Sequence, residues 1–588
     1  MQNKQGCHIS IGVLQRPLAF WAALPAHLRC TGLLIIEGVA ELPLKNKSKS
    51  LNFPKLRLFM SIKFCNFMVF KLVNAKLMYK SYIPNDTLLF PPNLGDFIPA
   101  DAPVRLISEI VDLMDLNEIH DSYSKAPDGQ PPYHPAMLLK VVLFGYMNNI
   151  FSTRGLESAM TRDAHLIWLS SYQFPDHTTI SRFKTRCMPH IKVIFTRLVI
   201  ILAERGEIKL TEDLYIDGTT IRSRAARRRI KWRSNAEKFG ASADADIQEG
   251  VKALLEQMEN GDREDDNNAG HVIYTKEEAR EIAGLIERRV QTVGLKKVRG
   301  KITAIRNACD RKKAHDKTLE QCAGRCGVAP TDPDCGIMHA KEDGYEGMAT
   351  PNYNVQIATQ NQYVTNYGAY DSAEDKSIAM DFVDTCVDEN GVKPSAVVED
   401  AGYGCEEVYV GLEERQIEAV VKYPNYDAES TRRPVKPGQY DKLGFRLSPD
   451  ESTLICPAGY LMRVVRTEEA YTRSGFRSDS TVMTCDYCNG CPFKDKCILT
   501  KSRRGEIHRK LGNIREEQKA KARLNLPANQ EKLKRRSLEP EPVFGQLKHN
   551  HGYTRFRHFG KSKVEMDLGF VFMALNILKL YRNMKKSA

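Results

Sequence analysis

Two aspartates in this sequence share a local grammar. Asp217 ends the apolar run 214–216 and is followed by Gly218; Asp400 ends the apolar strand-like run 395–399 and is followed by Ala401 and Gly402. Strand ends beside loops are where a sheet protein usually places its chemistry. A third carboxylate, Glu541, lies in "EPEPVFGQLK", where a helix begins after proline. The positive end of a helix dipole favours an acid there. Lys548 follows seven residues later, close to two helical turns, which puts Glu541 and Lys548 on one face. Three hard oxygen donors with no nearby histidine suit Mg²⁺ or Mn²⁺ rather than Zn²⁺. Two such ions, about 3.5–4 Å apart, can clamp the attacking and leaving oxygens of a phosphodiester. The arginine-dense run after Asp217, "RSRAARRRIKWR", could hold backbone phosphates, with Trp232 available for base stacking. Spacing alone is equally compatible with unrelated strand-end and capping acids, and with a charge run that is a solvated helix face.

A second constellation is made of thiols. Cys485, Cys488, Cys491 and Cys497 read C-x2-C-x2-C-x5-C, with Cys456 upstream. Thiolates this close suit a tetrahedral, structural Zn²⁺. The usual iron–sulfur spacings differ, and free thiols in a loop are the plain alternative. Cys322, Cys326 and Cys335 lack an obvious fourth ligand and stay unassigned.

The totals bound what these groups can belong to. A chain of 588 residues is too long for one ordinary core and implies two to four domains. The net charge of +13 favours an anionic polymer as partner. Fifteen cysteines, an odd number and many of them isolated, argue against a secreted disulfide framework and for a reducing, cytoplasmic compartment. Residues 1–77 contain no apolar run of the roughly 20 residues that a membrane span needs, and no clean signal peptide. Met78 opens a more convincing start, so 1–77 is expected to be an upstream extension, either poorly folded or not made at all.

The elements that must position these groups follow in order. Apolar spacing predicts helices over 104–116, 134–150, 153–170 and 175–195, the last with Asp176 and Thr178 as caps. Arg182, Lys184 and Arg186 on that last helix could touch phosphates or simply face water. A polar helical segment interrupts the strands from 222 to about 339, with an exposed loop at 261–270. Runs 353–360 and 363–372 flank "NQ", a hairpin. A helix closed by Gly391, the strand ending at Asp400, a short helix and the strand in "EAVVKYP" follow. A loop-rich, Cys-containing block spans about 425–500. The end is helical, closing with an apolar helix over 564–581. This is an α/β chain with a mixed sheet and helices packed on it.

The ordered motifs "PPYHPAMLLKVVLFGYMNNIFSTRGLE", "FPDHTTISRFK", "LYIDGTTIRSRA", "TDPDCGIM", "NYNVQIA", "VVEDAGYG" and "EPEPVFGQLKHNHGYTRFRHFGKSKVEMDLGF" carry a resemblance. Over 104–580 the chain resembles the DDE transposases of bacterial insertion sequences, in the subgroup with a helical N-terminal domain and a Cys-rich insert. The resemblance implies a ribonuclease-H-like core assembled from 206–222, 340–424 and 537–582. A helical DNA-binding or assembly domain would cover 78–205, a helical insertion 223–339, and a Cys-rich insert with basic helices 425–536. It implies Asp217, Asp400 and Glu541 as the metal-binding carboxylates. Glu539 competes for the third place, because Arg535 stands four residues before it, where Ser537 precedes Glu541; Lys548 and the "EPVFG" pattern favour Glu541. The implied reaction is metal-dependent cleavage of double-stranded DNA at the element's ends, followed by attack of the freed 3′-OH on target DNA. Lys548 would contact a phosphate, and a homodimer would act on two ends. A ribonuclease-H-like nuclease without strand transfer and an inactive DNA-binding derivative are the alternatives.

Overall fold

The expected hairpin is the backbone of the central sheet. Strand β3 (Ala349–Gln360) turns at Asn361 and Gln362 into β4 (Tyr363–Tyr370), and the pair runs antiparallel from Gln360–Tyr363 to Asn354–Tyr370. Both turn residues have positive φ, 49° and 61°, the pattern of a type I′ turn that matches the twist of the strands it joins. Gln is a poor occupant of that conformation. It is held there from outside: its backbone N–H donates to Glu539 Oε2 at 2.7 Å and its side-chain amide to the Leu538 carbonyl at 2.8 Å.

The computed structural model describes residues 93–588 apart from 124–130, 260–272, 294–295, 340–347, 431–439, 441–443, 503 and 588. The extension expected over 1–77, the start at Met78 and the loop at 261–270 lie outside the described residues. Residues 93–588 form one compact unit.

Strand β1 (Leu214–Arg222) lies at the centre of the sheet. On one side it pairs antiparallel with β3, Asp217 opposite Ile357; on the other it pairs parallel with β5 (Ala396–Glu399), which in turn pairs parallel with β6 (Glu418–Val421). The far edge of β3 carries β4 and, along Ala349–Asn352, the short strand β2 (Gly336–His339). Three long antiparallel strands therefore continue into two short parallel ones, β4-β3-β1-β5-β6. The mixed sheet and the helical N-terminal region expected from the sequence are both present.

Each face of the sheet has its own helices. Leu214 and Ile216 of β1 and Val397 of β5 bury against α9 (Ala379–Asn390) and α10 (Glu406–Glu414). Tyr215 and Val398, one residue on and so on the opposite face, pack with Leu524 of α11 (Leu511–Leu524) and Leu533 of α12 (Pro527–Arg536). The hairpin end of the sheet joins the N-terminal helices, among them α1 (Pro103–Leu113), α2 (Pro135–Met147), α4 (His177–Cys187) and α5 (Ile191–Glu204), in one continuous core. The C-terminal helix α14 (Lys561–Ser587) runs through that core and packs on α1, α2, α5 and β4. Between β1 and β2 stand three long helices, α6 (Arg233–Glu259), α7 (Lys276–Val293) and α8 (Lys296–Cys322), with an apolar core of their own. Among the described residues no helix is long and apolar enough to cross a membrane.

Two charge runs settle differently from each other. In the three-helix segment the basic residues pair with acids of neighbouring helices, as in Arg311–Asp246 at 2.8 Å and Lys312–Asp244. That basic stretch is a self-neutralised surface. On α4, Asp176 is the N-cap as expected, accepting from the Thr179 N–H at 2.9 Å. Lys184, by contrast, does not face phosphate. It points inward, 3% exposed, and donates to Asp567 of α14 at 2.9 Å. Arg182 remains exposed, and Arg186 lies over the Tyr123 ring.

Candidate active site: three acids around one guanidinium

Strand alternation decides which side chains meet. Asp217 is two residues beyond Tyr215 on β1, and Asp400 is two beyond Val398 on the parallel neighbour β5, so both acids emerge on the face covered by α12. The last residue of α12 is Arg536, and α13 (Pro540–Gly545) begins four residues later with Glu541 in its first turn. The Arg536 guanidinium reaches all three carboxylates: Nη2 lies 3.1 Å from Asp400 Oδ2 and 3.4 Å from Asp217 Oδ2, and Nη1 lies 3.7 Å from Glu541 Oε1. Residues 183 and 141 positions apart in the chain thus converge on one group. The side chains grade outward, 16% exposed at Asp217, 40% at Asp400 and 58% at Glu541. The pocket is closed at its floor and open towards solvent.

Glu539 goes elsewhere. It is buried, accepts from the Gln362 N–H, and sits 3.3 Å from Arg535. Its work is to hold the β3–β4 turn and, through it, the start of α13.

A fourth acid that the sequence reading missed lies beside these. Asp375 Oδ1 accepts from Asn354 at 2.7 Å and Gln356 at 2.8 Å. Asp217 lies inside β1, which continues to Arg222, and Asp400 just past the end of β5; the glycines that follow them make room for Asp375. A Cβ on Gly218 would stand 2.2 Å from Gln356 Nε2 and 2.9 Å from Asp375 Oδ1; one on Gly402 would stand 3.0 Å from Asp400 Oδ1 and 3.6 Å from Asp375 Oδ2. Gly402 also donates its N–H to Asp400 at 2.8 Å, fixing that carboxylate in the turn.

The electrostatics follow from crowding. Burial pushes the Asp217 carboxyl up to about 6; Arg536 pulls the other way, while Asp400 and Asp375 add to the rise. Glu399, on the opposite face of β5, is fully buried with neither carboxylate oxygen partnered, and burial followed by the Asp400 and Asp375 charges holds it well above the usual range, as the neutral acid. Negative charge exceeds positive here by a wide margin. Among the described residues no three His, Cys, Asp or Glu side chains are arranged to hold a metal ion. At this site the guanidinium occupies the middle.

The donor chemistry nonetheless fits a divalent cation. All three groups are hard carboxylates, two fixed to adjacent strands of the sheet and one at a helix start, and they already gather around a cationic group. Lys548 does not follow as two regular turns. After Gly545 the helix widens into a π turn over Gln546–Asn550, and Lys548 is a buried member of it. A π turn breaks the α-helical spacing from which a shared face with Glu541 was expected.

The thiols of the Cys-rich block also meet. Cys456, Cys485, Cys488, Cys491 and Cys497 line one small cavity walled by aromatic rings such as Tyr460 and Phe493. Burial pushes Cys485 up to about 11, with the neighbouring thiols Cys488 and Cys456 adding to it. The described cysteines are all free. Cys322 and Cys335 are buried and Cys326 exposed.

Two family models match the chain. One, described as "Transposase DDE domain", covers residues 455–581, including the Cys block, Arg536, Glu541 and Lys548. The other, "Transposase domain (DUF772)", covers 92–186, the N-terminal helices. Residues 187–454, with Asp217 and Asp400, lie outside both matches. No curated protein and no solved structure matches the chain.

Proposed function

We propose that this DDE transposase of the insertion-sequence type, an assignment supported by its two transposase domains, cuts double-stranded DNA at the ends of its element and joins the freed ends to target DNA. The observation that carries the reading is the convergence of Asp217, Asp400 and Glu541 on one cationic group. The strand order β4-β3-β1-β5-β6, three antiparallel strands continued by two parallel ones, supports a ribonuclease-H-like core.

Asp217, Asp400 and Glu541 would hold Mg²⁺ or Mn²⁺. Bound there, such ions neutralise the phosphodiester and favour the attacking and departing oxygens. The remaining work belongs to the chain. The Asp217 floor excludes water and sets rigid geometry from the sheet. Glu541, at the rim, closes the ligand set from the helix side. Arg536 and Lys548 supply positive charge for DNA phosphates beside the cut. Water is the nucleophile of the first step, and the liberated 3′-OH of the second, so no covalent enzyme intermediate is required. A homodimer would let one complex cut two ends, in the cytoplasm where the DNA is reached. The five clustered thiols fit a structural Zn²⁺ in the Cys-rich insert, held by four of them; purified protein containing neither zinc nor iron would remove that assignment.

The test is Mg²⁺-dependent cleavage of duplexes taken from the DNA flanking the reading frame. Wild type is expected to cut and to join the product to a target plasmid; Asp217→Asn and Glu541→Gln are expected to do neither. Cleavage without joining would make the protein a nuclease. End binding without cleavage would make it a DNA-binding derivative.

A further inference from the structure

Arg536 is an unusual occupant of its position. It lies within 3.1–3.7 Å of three carboxylates from three separate stretches of chain, and it fills the space those oxygens would share with a cation. It is 9% exposed, yet its Nε is buried without a hydrogen-bond partner. Charge holds it, and its hydrogen-bonding capacity is not used up. Its neighbour Arg535 is committed otherwise, lying over the Tyr215 ring and 3.3 Å from Glu539. Arg536 is also the last residue of α12.

We infer that Arg536 is a resident counter-charge. In the DNA-free protein it takes the cation position among Asp217, Asp400 and Glu541, and it leaves that position for a backbone phosphate when DNA is bound. The inference rests on the reading of these three acids as the cation ligands. Two cations cannot share that space, so the guanidinium and a divalent ion compete. A phosphate offers the guanidinium a planar, two-pronged acceptor that a crowded set of single carboxylate oxygens does not. Cation binding and DNA binding thereby become coupled, each strengthening the other by the same factor. A protein without DNA keeps its cation position filled and carries no armed site.

Binding of Mn²⁺ alone to the full chain tests this, read from the electron paramagnetic resonance of the free ion. Without DNA, Arg536→Gln is expected to bind Mn²⁺ roughly tenfold or more tighter than wild type, with Arg536→Lys close to wild type. The tight site should vanish in the double variant Asp217→Asn/Arg536→Gln. Equal Mn²⁺ affinity in wild type and Arg536→Gln would overturn the inference. Should Arg536→Gln fail to fold, wild type decides: adding a flanking-DNA duplex should raise its Mn²⁺ affinity roughly tenfold, and an unchanged affinity overturns the inference. The underlying reading fails in a different way, with no Asp217-dependent Mn²⁺ binding in any variant, with or without DNA.

Discussion

Two clusters of acids and bases among the described residues have opposite ratios. Around Arg536, three acids share one guanidinium, with Asp375 close behind. Around Asp567 of the C-terminal helix, one acid is served by many donors: Lys184 at 2.9 Å, the hydroxyls of Tyr146 and Tyr553, and His558 at 3.6 Å. Burial alone would raise the Asp567 carboxyl; the Lys184 ammonium, with His558 and the hydroxyls, outweighs it and holds the group well below the usual carboxylate range. At Asp217 burial prevails over the single arginine. A saturated acid is a structural tie. A surplus of acids is a site still waiting for positive charge.

Breaking each region should therefore give different losses. Asp217→Asn, or Asp400→Asn, should reduce end cleavage by about 10³-fold or more, since several kcal/mol of transition-state stabilisation is removed. Neither should lower the melting temperature. Asp567→Ala should do the reverse in kind, costing about 3–5 kcal/mol in urea unfolding by leaving the Lys184 ammonium buried and unpaired. A variant at Asp567 that unfolds at the wild-type urea concentration would show the tie to be dispensable.

The two glutamates before the π turn refine the contrast. Glu541→Gln should lose cleavage and keep stability. Glu539→Ala should keep cleavage and lose about 1–3 kcal/mol, because the Gln362 N–H is left without an acceptor. The opposite pattern would exchange their roles.

The smallest effect is a slope with pH, measured by urea unfolding in metal-free buffer. Asp567 has a depressed pKa in the folded state. Its contribution is present above the unfolded carboxylate value of about 3.9 and is lost as the pH falls below it. Asp217 has a raised pKa, so stability falls as the pH rises from that unfolded value of about 3.9 through about 6, by no more than about 3 kcal/mol. Asp567→Asn should flatten the acid side of the curve, and Asp217→Asn the side between those two values. Equal slopes in wild type and Asp217→Asn would mean that the carboxylate is not held out of water.

Much of this was legible before the structure. An apolar run followed by Asp and then Gly pointed to both acids, but only Asp400 follows the end of its strand; β1 runs on past Asp217 to Arg222, because Gly218 and the residues after it stay paired with β3. The "NQ" hairpin was legible too, flanked by alternating β-formers. What escaped notice depended on distant contacts. Asp375 sits in "SAEDKS", which reads as a solvated loop, and only the amides of Asn354 and Gln356 reveal its place. Arg536 is hidden in "KLKRRS", where nothing local separates it from Arg535. Lys184 looks like one more basic residue on a helix face until Asp567, 383 residues later, is placed beside it. Lys548 was read on an α-helical ruler that the π turn does not keep.

The C-terminal helix has a consequence for how the chain is made. It is pinned at its start by loop acids far upstream: Asp332 accepts from the Gly560 N–H at 2.9 Å and Asp334 from the Lys561 N–H at 2.9 Å. Its apolar residues then fill the space between the N-terminal helices and the hairpin. Those earlier parts emerge from the ribosome first, with an apolar cleft still open. A chain ending before residue 561 would leave the N-terminal helices and the hairpin facing each other across an unfilled apolar space.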